Sequence, residues 1–279
     1  LFTLFHKGYN RGPSGLYVIP LEKKLPLEGV GTPRTLFFFE GHDSVNLPGF
    51  NWNSVSDRIV FSSDLEDIDE VYTIDAHAKD LVRVTYHDTD EHFTEPSFSP
   101  EGIWIVFEVD RSVPDNLQQG SIRKVRIDGS NFTPLTDGPA NGTDDRQPNW
   151  SPLGDRILFQ RRLLSEDDWE IYTFDLDGHN LINVTRDPKS DDTDASWSPN
   201  GACIVYSSNF GNLPTPNLFV IPSNGGTPHQ ITHSTTHTDG APSWSHDGRW
   251  IVFEAKVGLA EETVSSLWYI EVPEGICGQ

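Results

Sequence analysis

Six side chains in this sequence have the types and spacing to do chemistry together: Glu91, His92, Asp145, Asp192, His237 and Asp239. They fall in four polar, breaker-rich segments, HDTDEHFTEP (87–96), DGPANGTDDRQP (137–148), RDPKSDDTDA (186–195) and HSTTHTDGAP (233–242). Neutral imidazole and carboxylate are good ligands for zinc or manganese, and carboxylate oxygens suit calcium. Asp145, Asp192 and Asp239 each stand five residues before a Trp, so a repeating fold would place them at equivalent positions. Phe93 and Leu47 hold that place in two further segments, so a ring of acids would be incomplete. Two readings follow. Each Asp can hold its own loop as an Asx turn, or together they can form an acidic face that takes a cation, a basic partner or a saccharide. No motif demands a cofactor; a divalent cation (calcium, manganese or zinc) is the one these segments could bind.

The usual catalytic signatures are absent. There is no G-x-S-x-G, no H-E-x-x-H and no Walker A loop. DLDGHNLINVTR (175–186) starts like a calcium loop, but Asn180 and Arg186 hold the positions where Gly and Glu are needed, so it reads as a hairpin. DLEDIDE (64–70) reads as a solvated acidic loop.

The elements that must position these residues are set by a repeat. NWNSVSDRIVF (51–61), PSFSPEGIWIVF (96–107), PNWSPLGDRILF (148–159), ASWSPNGACIVY (195–206) and PSWSHDGRWIVF (242–253) share one pattern. Their aromatic anchors, Trp52, Phe98, Trp150, Trp197 and Trp244, are 46, 52, 47 and 47 residues apart. Each unit reads as a short aromatic strand, a turn (with Gly in four of the five) and a β-branched second strand. A third strand follows, such as EIYTFD (170–175) or NLFVIP (217–222), and then a fourth ending in Thr. Four antiparallel strands in about 47 residues leave two uncovered faces. Radial stacking covers both, which predicts an all-β, six-bladed propeller in one domain. The blades would span about 1–40, 41–87, 88–137, 138–186, 187–234 and 235–279, with the Trp of each first strand wedged between neighbours. The first and last blades read as incomplete, giving about 22 strands rather than 24, and a longer natural chain upstream of Leu1 is expected.

The pattern D-x-x-P-x-W-S-P-x-G-x-x-I-V-F followed by x-I-Y-x-x-D-x-D-G-x-x-x-x-x-L-T resembles the TolB-type, or PD40, WD40-like repeat. DDRQPNWSPLGDRILF and EIYTFDLDGHNLINVT are its closest matches here. The resemblance implies a propeller and a periplasmic or secreted location. It also implies one of three roles: an interaction scaffold, the propeller of a larger serine hydrolase, or a metal-assisted saccharide lyase. No histidine of the lyase pattern can be placed on this sequence. The leading expectation is a monomeric, non-enzymatic scaffold with a protein, small-molecule or saccharide ligand on the channel face. A sugar-binding propeller, supported by Phe93 and Trp169, is a further alternative.

Charge and cysteines bound the partners. Forty-two acidic against 20 basic residues give a net charge of −22, which disfavours nucleic acid. No apolar run approaches a membrane span. Cys203 and Cys277 have no metal-ligand spacing and read as a buried thiol and a free tail thiol, with a disulfide as the alternative.

Overall fold

A computed structural model describes residues 2–5, 13–19, 32–40, 50–53, 55–113, 117–166, 168–257 and 265–278. The chain is all-β, a propeller of six antiparallel sheets. The first sheet holds β1 (Phe2–Phe5), β2 (Ser14–Val18) and β3 (Arg34–Phe38). The second holds β4 (Phe50–Asn53), β5 (Arg58–Ser63), β6 (Glu70–Asp75) and β7 (Val82–Arg83). The third holds β8 (Glu91–Phe98), β9 (Trp104–Val113), β10 (Leu117–Arg126) and β11 (Thr133–Pro134). The fourth holds β12 (Thr143–Trp150), β13 (Arg156–Leu163), β14 (Trp169–Asp175) and β15 (Ile182–Asn183). The fifth holds β16 (Asp192–Trp197), β17 (Cys203–Ser208), β18 (Asn217–Pro222) and β19 (His229–Gln230). The sixth holds β20 (His237–Trp244), β21 (Trp250–Val257) and β22 (Ser265–Glu271). Among the described residues the two end sheets thus have three strands each, the incompleteness expected from the sequence.

A Ser-x-x-Gly turn reverses the chain after four of the five anchors; after Trp52, Asp57 takes the left-handed position, with φ +51°. Gly201 has φ +68° and its N–H bonds the Ser198 carbonyl at 2.8 Å. A Cβ there would lie 2.9 Å from the Leu153 side chain of the preceding sheet, so glycine is needed for both conformation and close approach.

Packing is between sheets, and it gives five apolar cores. Leu16 and Leu36 of the first sheet meet Ile59, Phe61 and Tyr72 of the second. The same arrangement recurs at the next four seams: second to third, third to fourth, fourth to fifth and fifth to sixth. A closed ring of six sheets needs a sixth seam. Among the described residues, no core joins the sixth sheet to the first, a departure from the closed array that the repeat suggests.

The Trp wedges divide along the same line. Trp150 and Trp197 are buried, and the Trp197 indole Nε1 donates to the Asn149 carbonyl of the sheet before at 3.2 Å. Trp52 is 46% exposed. The first-strand anchor packs on the first strand of the preceding sheet, and among the described residues the first sheet has no such strand.

The cysteines correct the free-thiol reading. Cys203 and Cys277 form a disulfide with Cα atoms 5.6 Å apart. After β22 the chain turns under the fifth sheet, where Val272, Ile276 and Cys277 join the core that contains Cys203. Strand periodicity carries no information about that tail, so the sequence could not show the pairing.

Candidate functional site

First strands are the innermost strands of a propeller, and here β8, β12, β16 and β20 begin inside the segments that read as loops. All six candidate residues therefore lie on strands. Extended pairing with long second strands causes this: Phe93, Asp145, Asp192 and Asp239 stand opposite Val109, Arg161, Ser208 and Ala255. The positions are equivalent around the ring, but their chemistry is set by the side chains beside them, across the strand pair for Asp145 and Asp192 and on its own strand for Asp239. Asp145 holds the Arg161 guanidinium at 2.6 and 2.8 Å. Asp192 accepts from the Ser208 hydroxyl at 2.5 Å, and burial pushes its carboxyl up to about 7. Asp239 is 1% exposed, and its Oδ1 lies 2.9 Å from Nδ1 of His237. None of the three is an Asx turn, and none shares a partner with another.

His92 and Glu91 are likewise engaged. His92 Nδ1 lies 2.6 Å from Oδ2 of Asp69, which raises the imidazole's pKa against the opposing effect of burial. Glu91 pairs with Arg111. Asp69 and Glu70 are buried, and Glu70 binds Arg83 and the His87 backbone N–H, so the end of the 64–70 segment is not a solvated loop. Phe93 is 2% exposed and stacks on His87 with centroids 4.2 Å apart, which removes it as a sugar platform. Trp169 is covered by the guanidinium groups of Arg146 and Arg162. Leu47 lies outside the described residues.

The residues that do meet across sheets stand three positions before each anchor. Glu95, Gln147, Asp194 and Ala241 all have positive φ, from 46° to 55°. Each sits at a bulge where the pairing register shifts. Pro96, Pro148 and Pro242 follow three of them; proline has no N–H to give a ladder, and a bulge asks for none. The bulge turns these side chains towards one another. Gln147 Nε2 donates to Glu95 Oε1 at 3.3 Å and to Asp194 Oδ1 at 3.2 Å. Asp194 Oδ2 accepts from the Ala241 N–H at 3.2 Å. Second strands brace the chain of contacts: Glu108 accepts from the Gln147 N–H at 3.0 Å, and Gln160 from the Asp194 N–H at 3.3 Å.

The electrostatics of this strip are unusual. Burial pushes Glu95 up to about 7; its hydrogen bond with Glu108 opposes that, while the Asp194 charge adds to it. Burial and the Glu95 charge push Glu108 up well above the ordinary carboxyl range. Arg146, bound to Asp144 at 2.8 Å, is the nearby cation, and its pKa is raised by Asp144 and Glu108 against the opposing effect of burial. The strip is therefore a braced row of carboxyl and amide groups whose buried carboxyls, Glu95 and Glu108, are raised above the ordinary carboxyl range. Sequence reasoning missed it, although x-Pro three positions before an aromatic anchor was the available signal. Among the described residues, no group of three His, Cys, Asp or Glu side chains is placed to hold a metal ion.

A family model described as the TolB beta propeller domain, PD40, matches residues 39–215. The chain belongs to the TolB β-propeller family. A curated relative, the uncharacterized protein Atu1656 of Agrobacterium fabrum, is 27% identical over 150 residues, 53% of this chain and 43% of that protein. Among solved structures, this TolB-family propeller is similar to TolB from Acinetobacter baumannii, with a TM-score of 0.65 and 17% identity. That match covers 85% of this chain and 54% of the other. A putative TolB from Agrobacterium tumefaciens gives 0.64 and 16%, covering 86% and 80%. At such identities the structures speak for the fold alone. The chain spans about half the length of the curated relative and of the Acinetobacter protein.

Proposed function

We propose that this propeller is a non-enzymatic binding scaffold whose protein ligand sits on the channel face. The observation that carries this reading is the braced strip Glu95–Gln147–Asp194. Three successive first strands present polar groups locked by hydrogen bonds to one another and to Glu108 and Gln160. A surface fixed before binding loses little conformational entropy when a partner docks. The net charge of −22 favours a basic partner segment, steered in by the field of the whole chain. The engagement of the candidate residues favours this reading: Asp145, Asp192, His92 and His237 are each held by a side chain of the protein.

A periplasmic or secreted location is part of the same proposal. The Cys203–Cys277 disulfide supports an oxidising compartment. Among the described residues, no helix is long and apolar enough to cross a membrane.

The test is affinity capture from a periplasmic or secreted protein fraction on wild-type protein and on Gln147→Lys, at low and at high salt. The expected result is a discrete protein retained by wild type at low salt and lost with the variant. Equal capture by both proteins, or turnover of oligosaccharides by the purified chain, would overturn it.

A further inference from the structure

The second and fourth sheets share a group of side chains that the third and fifth lack. Glu70, Tyr72 and Thr85 of the second sheet correspond to Glu170, Tyr172 and Thr185 of the fourth. The register fixes the correspondence: Tyr72 pairs with Phe61 and Arg83, and Tyr172 with Phe159 and Asn183. In both sheets the Thr hydroxyl accepts a third-strand N–H, from Val71 at 2.9 Å and from Ile171 at 3.1 Å. In both it donates to Oε2 of the Glu. The third sheet has Ser121 and Arg123 at the Glu and Tyr positions, and the fifth has Asn217 and Phe219.

One residue separates the two copies. In the second sheet Arg83 brings a guanidinium to the Glu: it donates to Glu70 Oε1 at 2.6 Å and to Glu66, and its Nε donates to the Thr85 carbonyl at 2.9 Å. In the fourth sheet that position is Asn183, whose amide reaches the Tyr172 hydroxyl at 3.1 Å. A cavity of about 320 Å³ stands there, lined by Glu166, Asp168, Glu170, Tyr172 and Asn183. Glu170 is 6% exposed, and burial pushes its carboxyl up. Its Oε2 accepts from Thr185 at 2.7 Å, and among the described residues it has no cationic partner. Arg161 also borders the cavity, but it is closed on Asp145. Arg186 borders it too, with its guanidinium against Gly225 of the fifth sheet. Three lining carboxylates thus meet one remaining cation. Both neighbouring sheets are in place, so the cavity belongs to the fourth sheet itself.

We propose that this cavity is a binding site for a small guanidinium compound of the arginine class, with Oε1 of Glu170 as its first acceptor. The second sheet shows the mode, because there the same Glu–Tyr–Thr set holds the guanidinium of Arg83 through Oε1 while Thr85 takes Oε2. A planar fork of N–H donors suits several carboxylate oxygens at once, which a compact ammonium does not. Glu166 and Asp168 supply the further oxygens, and Arg186 offers a counter-charge to a carboxylate on the same ligand. A metal ion is the poorer fit, since among the described residues no three acidic or histidine side chains are placed to hold one. The volume is at the small end of ligand pockets, which run from about 300 to 1,000 Å³. The site is separate from the channel face and does not depend on the reading of it.

The probes are ethylguanidinium, L-arginine and butylammonium, each titrated into the intact protein by calorimetry. Saturable binding of the first two is expected, with butylammonium weaker by about tenfold. Glu170→Gln should weaken L-arginine by a similar factor. Asn183→Arg copies the second sheet and supplies the group from within, so it should abolish binding and raise the melting temperature. The comparison of ligands on wild-type protein stands even if Glu170→Gln folds poorly. No saturable binding up to about 10 mM, equal affinity for butylammonium, or unchanged affinity in Asn183→Arg would overturn the site. A capped Gly-Arg-Gly peptide, which lacks the free carboxylate, should bind more weakly than L-arginine. Tighter binding of that peptide would overturn the small-molecule source in favour of an arginine within a polypeptide.

Discussion

Asp145 and Arg161 stand opposite one another on β12 and β13 and close a two-pronged ion pair at 2.6 and 2.8 Å, with side chains 0% and 13% exposed. The guanidinium also lies over the Phe159 and Tyr172 rings, 5.2 and 5.5 Å from their centroids. A carboxylate that looks like a ligand in the sequence is here the counter-ion of a buried cation.

Removing that counter-ion should therefore destabilise the protein rather than merely alter binding. Asp145→Ala leaves Arg161 buried without its charge partner, at a cost of about 3–5 kcal/mol. Asp145→Ala with Arg161→Leu should recover much of that loss, because neither charge remains. Urea denaturation of the two single variants and the double variant measures the coupling. Additive losses would show that the pair does not act as a unit.

The contrast between Asp145, Asp192 and Asp239 shows where the sequence could be read and where it could not. Their equivalence was legible, because five residues separate each from its Trp and the repeat fixes the register. Their roles were not, because for Asp145 and Asp192 the role belongs to a residue 16 positions later, Arg161 or Ser208, and for Asp239, which faces Ala255, to His237 on its own strand. The propeller itself was legible for a similar reason, since Trp, Gly turn and β-branched runs recur locally. Contacts between units, such as Gln147 with Glu95 and Asp194, depend on a bulge geometry that composition does not announce.

Stability should fall as pH rises from about 4 to about 8. Asp192 and Glu95 each have a folded pKa near 7, raised from the ordinary carboxyl range chiefly by burial. The folded state therefore binds more protons than the unfolded state across that window, so the contribution is complete below the unfolded pKa and lost as pH passes 7. His92, with its pKa raised by Asp69, works in the same sense above about 6.5. Asp192→Asn should flatten the profile, by on the order of 4 kcal/mol between its ends as an upper limit. Chemical denaturation at several pH values measures it, and an unchanged slope in the variant would count against a buried, protonated Asp192.

Chelation should leave the fold untouched. Asp145, Asp192 and Asp239 bond to protein groups, and His92 and His237 spend Nδ1 on Asp69 and Asp239. A cation would have to displace those partners from the three carboxylates; the two histidines keep Nε2, but among the described residues no group of three His, Cys, Asp or Glu side chains is placed to complete a site. Melting curves in EDTA and in added calcium, manganese or zinc are expected to superimpose, with no stoichiometric metal found by elemental analysis. A metal near one per chain, lost together with stability, would return the acidic segments to the role of ligands.

The Cys203–Cys277 link should matter most for the sixth sheet, which touches a neighbour on one face alone among the described residues. The bond closes a loop with a sequence separation of 74, so the chain-entropy argument puts its contribution at about 4 kcal/mol. Cys277→Ser should lower the melting temperature, and dithiothreitol should lower that of wild type by the same amount while leaving the variant unmoved. Hydrogen exchange in the reduced protein should quicken first in β20 to β22.

The first-strand Trp residues give the sharpest test of the open seam. Trp52 and Trp197 occupy the same place in the repeat, and a closed ring would bury them alike. Trp197 is 8% exposed and sits in the core between the fourth and fifth sheets, whereas Trp52 is 46% exposed beside a sheet with no first strand among the described residues. Trp197→Ala should cost about 3–5 kcal/mol through the lost contacts and the cavity left behind. Trp52→Ala should cost less than about 1 kcal/mol, as for an exposed side chain. Equal losses in urea denaturation would mean that Trp52 is buried in solution, which requires a partner for the first sheet that closes the ring on that side.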